Sequence, residues 1–401
     1  MEQFDVLIVG AGPAGSAAAK KCVGAGLKTL LIDKHKLPRR KACSGILANA
    51  SQNYVFEHFG PIPQKAFSRP YISKGLAFYF PSVGMVYADV DCYNLYVWRD
   101  RFDYFLATTT GAALRDQTRF LFSETKGAEI EAVLQRNGKI RKVLAQYLIG
   151  ADGSHSRVAR TVCPSVYRDM PWAYACQKYF EGNIDVDPRY LHWFLTRDMG
   201  PFPWVNLKDD QIVIGLAMVK GQNFSTRFQR FVEFLKRHLG LEIKRELAQE
   251  ACLSNTMTPL NRFFPGRGRV LMAGDAMGLM HQGGEGISCA LASGGYAAQA
   301  VIEALETGVD ALSRYKQLVK PEMETALDQF NPLRIGASSA SSNARQPGLL
   351  DGLGLADKAK AIRDAALFLR SEIEISGMGT TILKNMLRRL VFGRYRIPAA
   401  E

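Results

Sequence analysis

The chain has 401 residues, 47% of them hydrophobic, enough for a substantial core and for more than one small domain. Its formal net charge is +13, which suits acidic partners or an anionic lipid surface, yet no nucleic-acid module is visible and no apolar run approaches the ~20 residues of a membrane span. The seven cysteines never form C-x-x-C, so zinc ribbons, iron–sulfur clusters and dithiol pairs are not expected, nor is any metal site; with a strand opening the chain and no signal peptide in view, reduced thiols and a cytoplasmic location are expected.

Phe4 to Val9 reads FDVLIV, a short apolar run of the kind that buried parallel strands make. Gly10-Ala11-Gly12-Pro13-Ala14-Gly15 follows at once and opens a small-residue helix. In such a fingerprint Gly10 allows the tight turn, Gly12 lets backbone approach a pyrophosphate, and Gly15 lets helix and strand pack closely. The phosphates would sit on unpaired N–H groups at the helix start, beside Pro13 and Ala14. An ordinary glycine turn would read alike, but a second strand, Thr29 to Ile32, ends at Asp33. That is about the twenty-residue spacing of an acid gripping a ribose hydroxyl. Lys34 then begins a basic run, KHKLPRRK, that leads to Cys43, Ser44 and Gly45.

A helix is expected over Ile46 to His58, which would set Cys43 just before a helix start and after three cations, a setting that lowers a thiol pKa. Residues 71–97 alternate as strands or a hairpin, and Arg99 to Ala107 is helical. Residues 128–149 predict short strands around the Asn137-Gly138 turn. Gly150-Ala151-Asp152-Gly153 ends that strand with an acid, either on a ligand-binding rim or in an Asp-Gly turn with Ser156 as helix cap. Residues 166–220 are strand-rich and aromatic, with Trp172, Tyr174, Trp193, Phe194, Phe202 and Trp204 read first as sheet core. Phe228 to Leu239 is an amphipathic helix. A third signature, Ala273-Gly274-Asp275-Ala276, follows the strand at Val270. Gly283-Gly284-Glu285-Gly286-Ile287 then opens a long small-residue helix whose bare N–H groups would stabilise negative charge on a reduced ring system, with Glu285 as cap or orienting group. Residues 336–354 read as a loop and 355–392 as helical. The stretch from Ile382 to Ile397 mixes apolar residues with Lys384, Arg388, Arg389 and Arg394, as an interfacial helix would.

These elements predict an α/β chain, α+β overall. A Rossmann-like cofactor domain (1–70, 98–165 and 266–325) is interleaved with a β-sheet substrate domain (71–97 and 166–265). A C-terminal helical region (326–401) follows. Three glycine-and-acid signatures in this order, each beside an apolar run, point to FAD.

The chain resembles the glutathione-reductase-type flavoproteins, in the branch that includes para-hydroxybenzoate hydroxylase. Within it, the geranylgeranyl reductase family is the most similar. The fingerprint with Asp33 resembles the family's ADP-binding start. Lys41-Ala42-Cys43-Ser44-Gly45-Ile46-Leu47 resembles its K/R-x-C-x-G-x-L stretch near the flavin. Arg99-Asp100-Arg101-Phe102-Asp103 with Leu106 resembles its R-x-x-F-D-x-x-L helix, where the Arg contacts FAD. Gly274-Asp275-Ala276 through Gly284-Glu285-Gly286-Ile287 resembles its G-D-A…G-E-G-I segment. Phe202-Pro203-Trp204 stands where the family carries Y-x-W-x-F-P, which makes Phe202 and Trp204 substrate-pocket candidates.

The resemblance implies an FAD-dependent reductase that saturates isoprenoid double bonds by hydride transfer and protonation. Cys43 is the first candidate at the reacting face, and His281 is a second proton donor. The cofactor contacts would come from Gly10, Gly12, Pro13, Ala14, Gly15, Asp33, Lys34, Cys43, Ser44, Gly45, Arg99, Asp152, Gly274, Asp275, Gly284, Glu285, Gly286 and Ile287. No second fingerprint follows a strand, so electrons would come from docking NAD(P)H or a ferredoxin-like carrier protein. The expected partners are a prenyl lipid substrate, that electron donor and a peripheral anionic membrane. An FAD-dependent monooxygenase or halogenase is the alternative, since it shares the FAD motifs. A prenyl-binding carrier of the same fold would lack them.

Overall fold

The structure is a computed structural model that describes residues 1–170, 172–196, 199, 203–219, 223–255, 257–281, 284–330, 350 and 352–376. Among them, two eight-stranded sheets form. The first is built on four-residue to twelve-residue runs of Val, Ile and Leu: β1 (Glu2–Val9), β2 (Thr29–Ile32) and, later in the chain, the strand Lys139–Gly150. Between them come β3 (Ile46–Leu47), the long hairpin β4 (Phe67–Phe80) and β5 (Gly84–Val97), the short β6 (Ala113–Arg115), and the hairpin strands β7 (Thr118–Lys126) and β8 (Glu129–Arg136). Lys139–Gly150 is therefore β9. Asn137 and Gly138 both take positive φ, 49° and 75°, as the tight turn between β8 and β9 requires.

The remaining strands are β10 (Trp172–Asn183), β11 (Tyr190–Phe194), β12 (Trp204–Lys208), β13 (Gln211–Val219), β14 (Glu242–Asn255), β15 (Gly266–Arg267) and β16 (Val270–Met272). The helices are α1 (Pro13–Gly24), α2 (Asn49–Phe59), α3 (Arg99–Thr108), α4 (Arg157–Val162), α5 (Phe224–Leu239), α6 (Ile287–Thr307), α7 (Ala311–Phe330) and α8 (Leu355–Ser376).

In the first sheet β16, β9, β1, β2 and β6 lie side by side and parallel, so their carboxyl ends share one rim. The carboxyl-terminal halves of β1 and β9, and all of β2 and β16, are buried, as central parallel strands are. Small residues along α1 and α6 (Ala14, Ala17, Ala18, Ser293, Gly294) are buried and let the two helices pack closely beside the rim. α7 is bolted to this layer by Tyr315, whose buried Oη donates to the Met272 carbonyl at 2.7 Å. The helical period runs through residue 325, so α7 crosses the boundary expected between cofactor domain and C-terminal region.

The second sheet runs β14-β10-β13-β12-β11-β4-β5-β3. Its central strands turn alternate residues to opposite faces. Phe180, Phe194, Ile212 and Ile214 face α5, where Phe228, Phe231 and Leu235 bury the helix's apolar stripe. Ala175, Gln177, Trp193 and Trp204 face the other way, toward the first sheet's rim. Asn223 caps α5 by accepting from the Thr226 N–H at 3.1 Å, and Gly240 ends it in the left-handed conformation.

One local expectation is corrected. Ile46 and Leu47 do not start a helix but pair antiparallel with Tyr96 and Leu95 as β3, and the helix begins at Asn49. Edge pairing to β5 overrides the helical pattern there. The loop expected at 336–354 falls largely, and the basic segment 382–397 wholly, outside the described residues.

Candidate functional site

A cleft of about 880 Å³ lies between the rim of the first sheet and the open face of the second. Four strand ends meet it in register: Asp275 after β16, Asp152 after β9, Gly10 after β1 and Asp33 after β2. Ligands of open α/β sheets bind at such a rim.

Gly10 takes φ +109°, and a Cβ there would fall 2.3 Å from the Ala151 carbonyl oxygen, so only glycine makes this turn. The turn is braced by Asp33, which accepts from the Ala11 N–H (3.1 Å), the His35 N–H (2.9 Å) and Arg39 Nε (3.2 Å). Gly12 at the start of α1 offers no side-chain cap, which leaves that N-terminus to an anion. Arg39 reaches on to Asp103 (3.3 Å), and Asp103 also holds Arg99 through two bonds of 2.9 and 3.0 Å. Burial works against the Arg99 charge, but Asp103 and Cys43 outweigh it and keep the guanidinium protonated.

The second signature has a structural duty. Asp152 accepts from Ser156 Oγ and from the Arg157 N–H (2.7 Å), while Ser156 Oγ caps α4 at the Ala159 N–H (2.9 Å). Burial pushes the Asp152 carboxyl up. At the third signature Ser154 Oγ donates to Asp275 at 3.1 Å, and Lys41 Nζ lies 3.9 Å away. The start of α6 differs from expectation. Its first N–H groups are not bare, because Glu285 accepts from Ile287 (2.9 Å) and Ser288 (3.0 Å). Self-capping by a carboxylate three residues upstream satisfies those donors and keeps them from a ligand.

Cys43 faces the cleft. Its Sγ accepts from the Gly45 N–H at 3.3 Å and from Arg99, and its carbonyl accepts from Gln177 Nε2 at 3.3 Å. Behind it lies a smaller cavity of about 100 Å³ bounded by Lys208, Tyr179, Trp98 and Glu250. Lys208 Nζ is wholly buried, donates to the Val97 carbonyl at 2.6 Å and sits 4.3 Å from the centre of the Trp98 ring. Burial pushes its pKa down to about 8. Glu250 borders both cavities and accepts from Tyr179 Oη at 2.8 Å. Burial, then the Glu250 charge, push the Tyr179 phenol up. Lys208, Glu250, Tyr179 and Gln177 escaped sequence reasoning. The one signal was a lysine at the inward phase of a strand, two and four places beyond Asn206 and Trp204.

Four residues expected at the site stand off the cleft wall. Gly15 packs under the Gly10 carbonyl, Gly45 is pressed against Val97 and Lys208, and Glu285 faces its own helix. His281 is held between Glu285 (3.3 Å) and Glu322 (3.3 Å). Burial opposes its charge, yet Cys289, Glu285 and Glu322 beside the ring outweigh it and push its pKa up to about 12, a proton too tightly held for a donor near neutrality. Phe202 lies outside the described residues, and the other expected residues border the cleft. The aromatic group divides: Trp193 and Trp204 line the cleft with ring centres 6.3 Å apart, whereas Phe194 meets Phe231 and Tyr174 meets Phe224 edge to face against α5.

A family model described as an FAD binding domain matches residues 3–329. The chain belongs to that family. This flavoprotein is thus an FAD-dependent oxidoreductase with relatives of the geranylgeranyl reductase type. A digeranylgeranylglycerophospholipid reductase of Thermoplasma acidophilum is 29% identical, the match covering 81% of this chain and 85% of the relative. A solved geranylgeranyl bacteriochlorophyll reductase-like protein of the same organism superposes with a TM-score of 0.69 at 21% identity, over 93% of this chain and 98% of that one. The myxobacterial chondrochloren halogenase superposes at 0.65 with 15% identity, over 99% of each chain. These two likenesses establish the fold. FAD fits the residues present: an uncapped helix start and the Gly10 turn for the pyrophosphate, and Asp33 at the next strand end.

Proposed function

We propose that the flavoprotein is a reductase that saturates carbon–carbon double bonds of geranylgeranyl-type lipids. The observation that carries this reading is the two-sided cleft: polar strand ends on one wall, and Trp193, Trp204, Ala217, Met218 and Leu253 on the other, with Cys43 between. The relative's name supports the lipid class. When bound, FAD supplies the hydride.

The chain's own residues do the rest. Gly10, Gly12 and the α1 start would hold the pyrophosphate, Asp33 the ribose, and Asp275 the chain that links it to the ring system. The tryptophan wall seats an apolar chain and excludes water, which an unactivated alkene needs, since only close placement helps it react. Cys43 Sγ holds the proton destined for the second carbon. Glu250, which accepts from Tyr179 Oη, borders both cavities beside it. Electrons arrive from NAD(P)H or an acidic carrier protein docking on the basic chain.

The test uses FAD-loaded protein reduced without oxygen and mixed with unsaturated prenyl lipids. A gain of two hydrogens per double bond by mass spectrometry is expected. The halogenase-like fold gives a second reading; inertness without oxygen, followed by halogen or oxygen insertion in air, would establish it instead.

A further inference from the structure

His281 is singled out by the sequence and left unused by the cleft. We infer that His281, Cys289 and Glu322 bind a divalent cation of the zinc class, with Glu285 orienting the histidine. His281 Nδ1 or Nε2, Cys289 Sγ and a Glu322 oxygen lie within 4.8 Å of one another, at the junction of the α6 start and α7.

The alignment at Nε2 carries the argument. It lies 3.3 Å from Glu322 Oε1, yet it is buried and makes no aligned hydrogen bond. A separation of 3.3 Å is the edge of a tetrahedron whose bonds are about 2.0 Å, the length of Zn–N and Zn–O bonds, and the wider separations in the set, up to 4.8 Å, would close by side-chain movement on binding.

The surroundings fit the same cation. Glu285 lies 3.3 Å from Nδ1 and is itself anchored by the Ile287 and Ser288 N–H groups. The loop is closed by the His281 N–H donating to the Glu285 carbonyl at 2.8 Å. A carboxylate on one imidazole nitrogen leaves the other free as ligand, the usual support of a metal-bound histidine. Cys289 is wholly buried, and its sulfur makes a mixed N, S, O set that favours zinc-class ions over magnesium or calcium. Cys289 and Glu322, both ionised, balance a double positive charge, and the fourth position is left to water. Such an ion would clasp α6 to α7 next to Gly284 and Gly286 on the cleft wall. The rival occupant is a single proton on His281 shared by the two carboxylates.

The experiment takes full-length, FAD-loaded protein, strips metal with a chelator and titrates it with Co²⁺ without oxygen. One equivalent with a thiolate-to-cobalt absorption band is expected, as is one zinc per chain by native mass spectrometry after zinc loading. Cys289→Ser should abolish the band. Glu285→Gln should weaken binding about 10–100-fold. Cys163→Ser should change nothing, and the flavin spectrum reports that each variant is folded. If Cys289→Ser does not fold, loss of Co²⁺ affinity in Glu322→Gln decides the matter. No thiolate band in the wild type, or a band that survives Cys289→Ser or an unchanged affinity in Glu322→Gln, would leave only the proton and overturn the site.

Discussion

Arg99 and Asp103 are 7% and 1% exposed, so their pairing is nearly free of solvent screening. Removing one partner leaves an uncompensated buried charge, and Asp103→Asn should cost about 3–5 kcal/mol in denaturant unfolding. Cys43→Ala should lower turnover at least ~100-fold if its proton enters the transition state, with flavin content unchanged. Equal turnover would remove Cys43 from the mechanism. His192 is buried, and burial, outweighing the Val205 backbone and Asp187 beside it, pushes its pKa down to about 4. The folded state therefore binds fewer protons than the unfolded one between about pH 6.5 and 4. Stability is full above that window and declines as pH falls through it, by about 3 kcal/mol in all. His192→Leu should flatten that segment of the stability–pH curve, and a curve of unchanged slope would assign it to other groups.

At the scale of elements, caps and turns follow their local residues. Asn223→Ala should destabilise α5 by about 1 kcal/mol, read as a lower thermal midpoint. Gly10→Ala forces a side chain to within 2.3 Å of the Ala151 carbonyl oxygen. It should abolish flavin retention, measured by fluorescence of released FAD, and a yellow variant would contradict the pyrophosphate assignment. The β1–turn–α1 unit, the Asn137-Gly138 hairpin and α5 were legible because glycine, Asn and apolar period act over a few residues. The start of α2 was not, because Ile46 and Leu47 answer to a partner strand about fifty residues away. The capping of α6 is half legible: Glu285 reads as a cap, but that its carboxylate takes up the first N–H groups depends on its side-chain geometry.

For the whole molecule, the parallel rim of the first sheet and the mixed second sheet together make one cleft, and neither sheet has it alone. Among the described residues no helix is long and apolar enough to cross a membrane. The net charge of +13 predicts co-sedimentation with anionic vesicles at low salt that weakens as the screening length shrinks to about 8 Å. No binding at low salt would remove membrane contact from the proposal. Sequence by itself determined the FAD signatures and the strand ends that carry them, because turn chemistry and strand burial are written in neighbouring residues. Only the tertiary structure decided that Gln177, Tyr179, Lys208 and Glu250 gather behind Cys43, that Trp193 and Trp204 face the cleft while Phe194 does not, and that His281 turns away toward Cys289 and Glu322. These meetings depend on strand register and helix packing, which bring together residues that no local pattern connects.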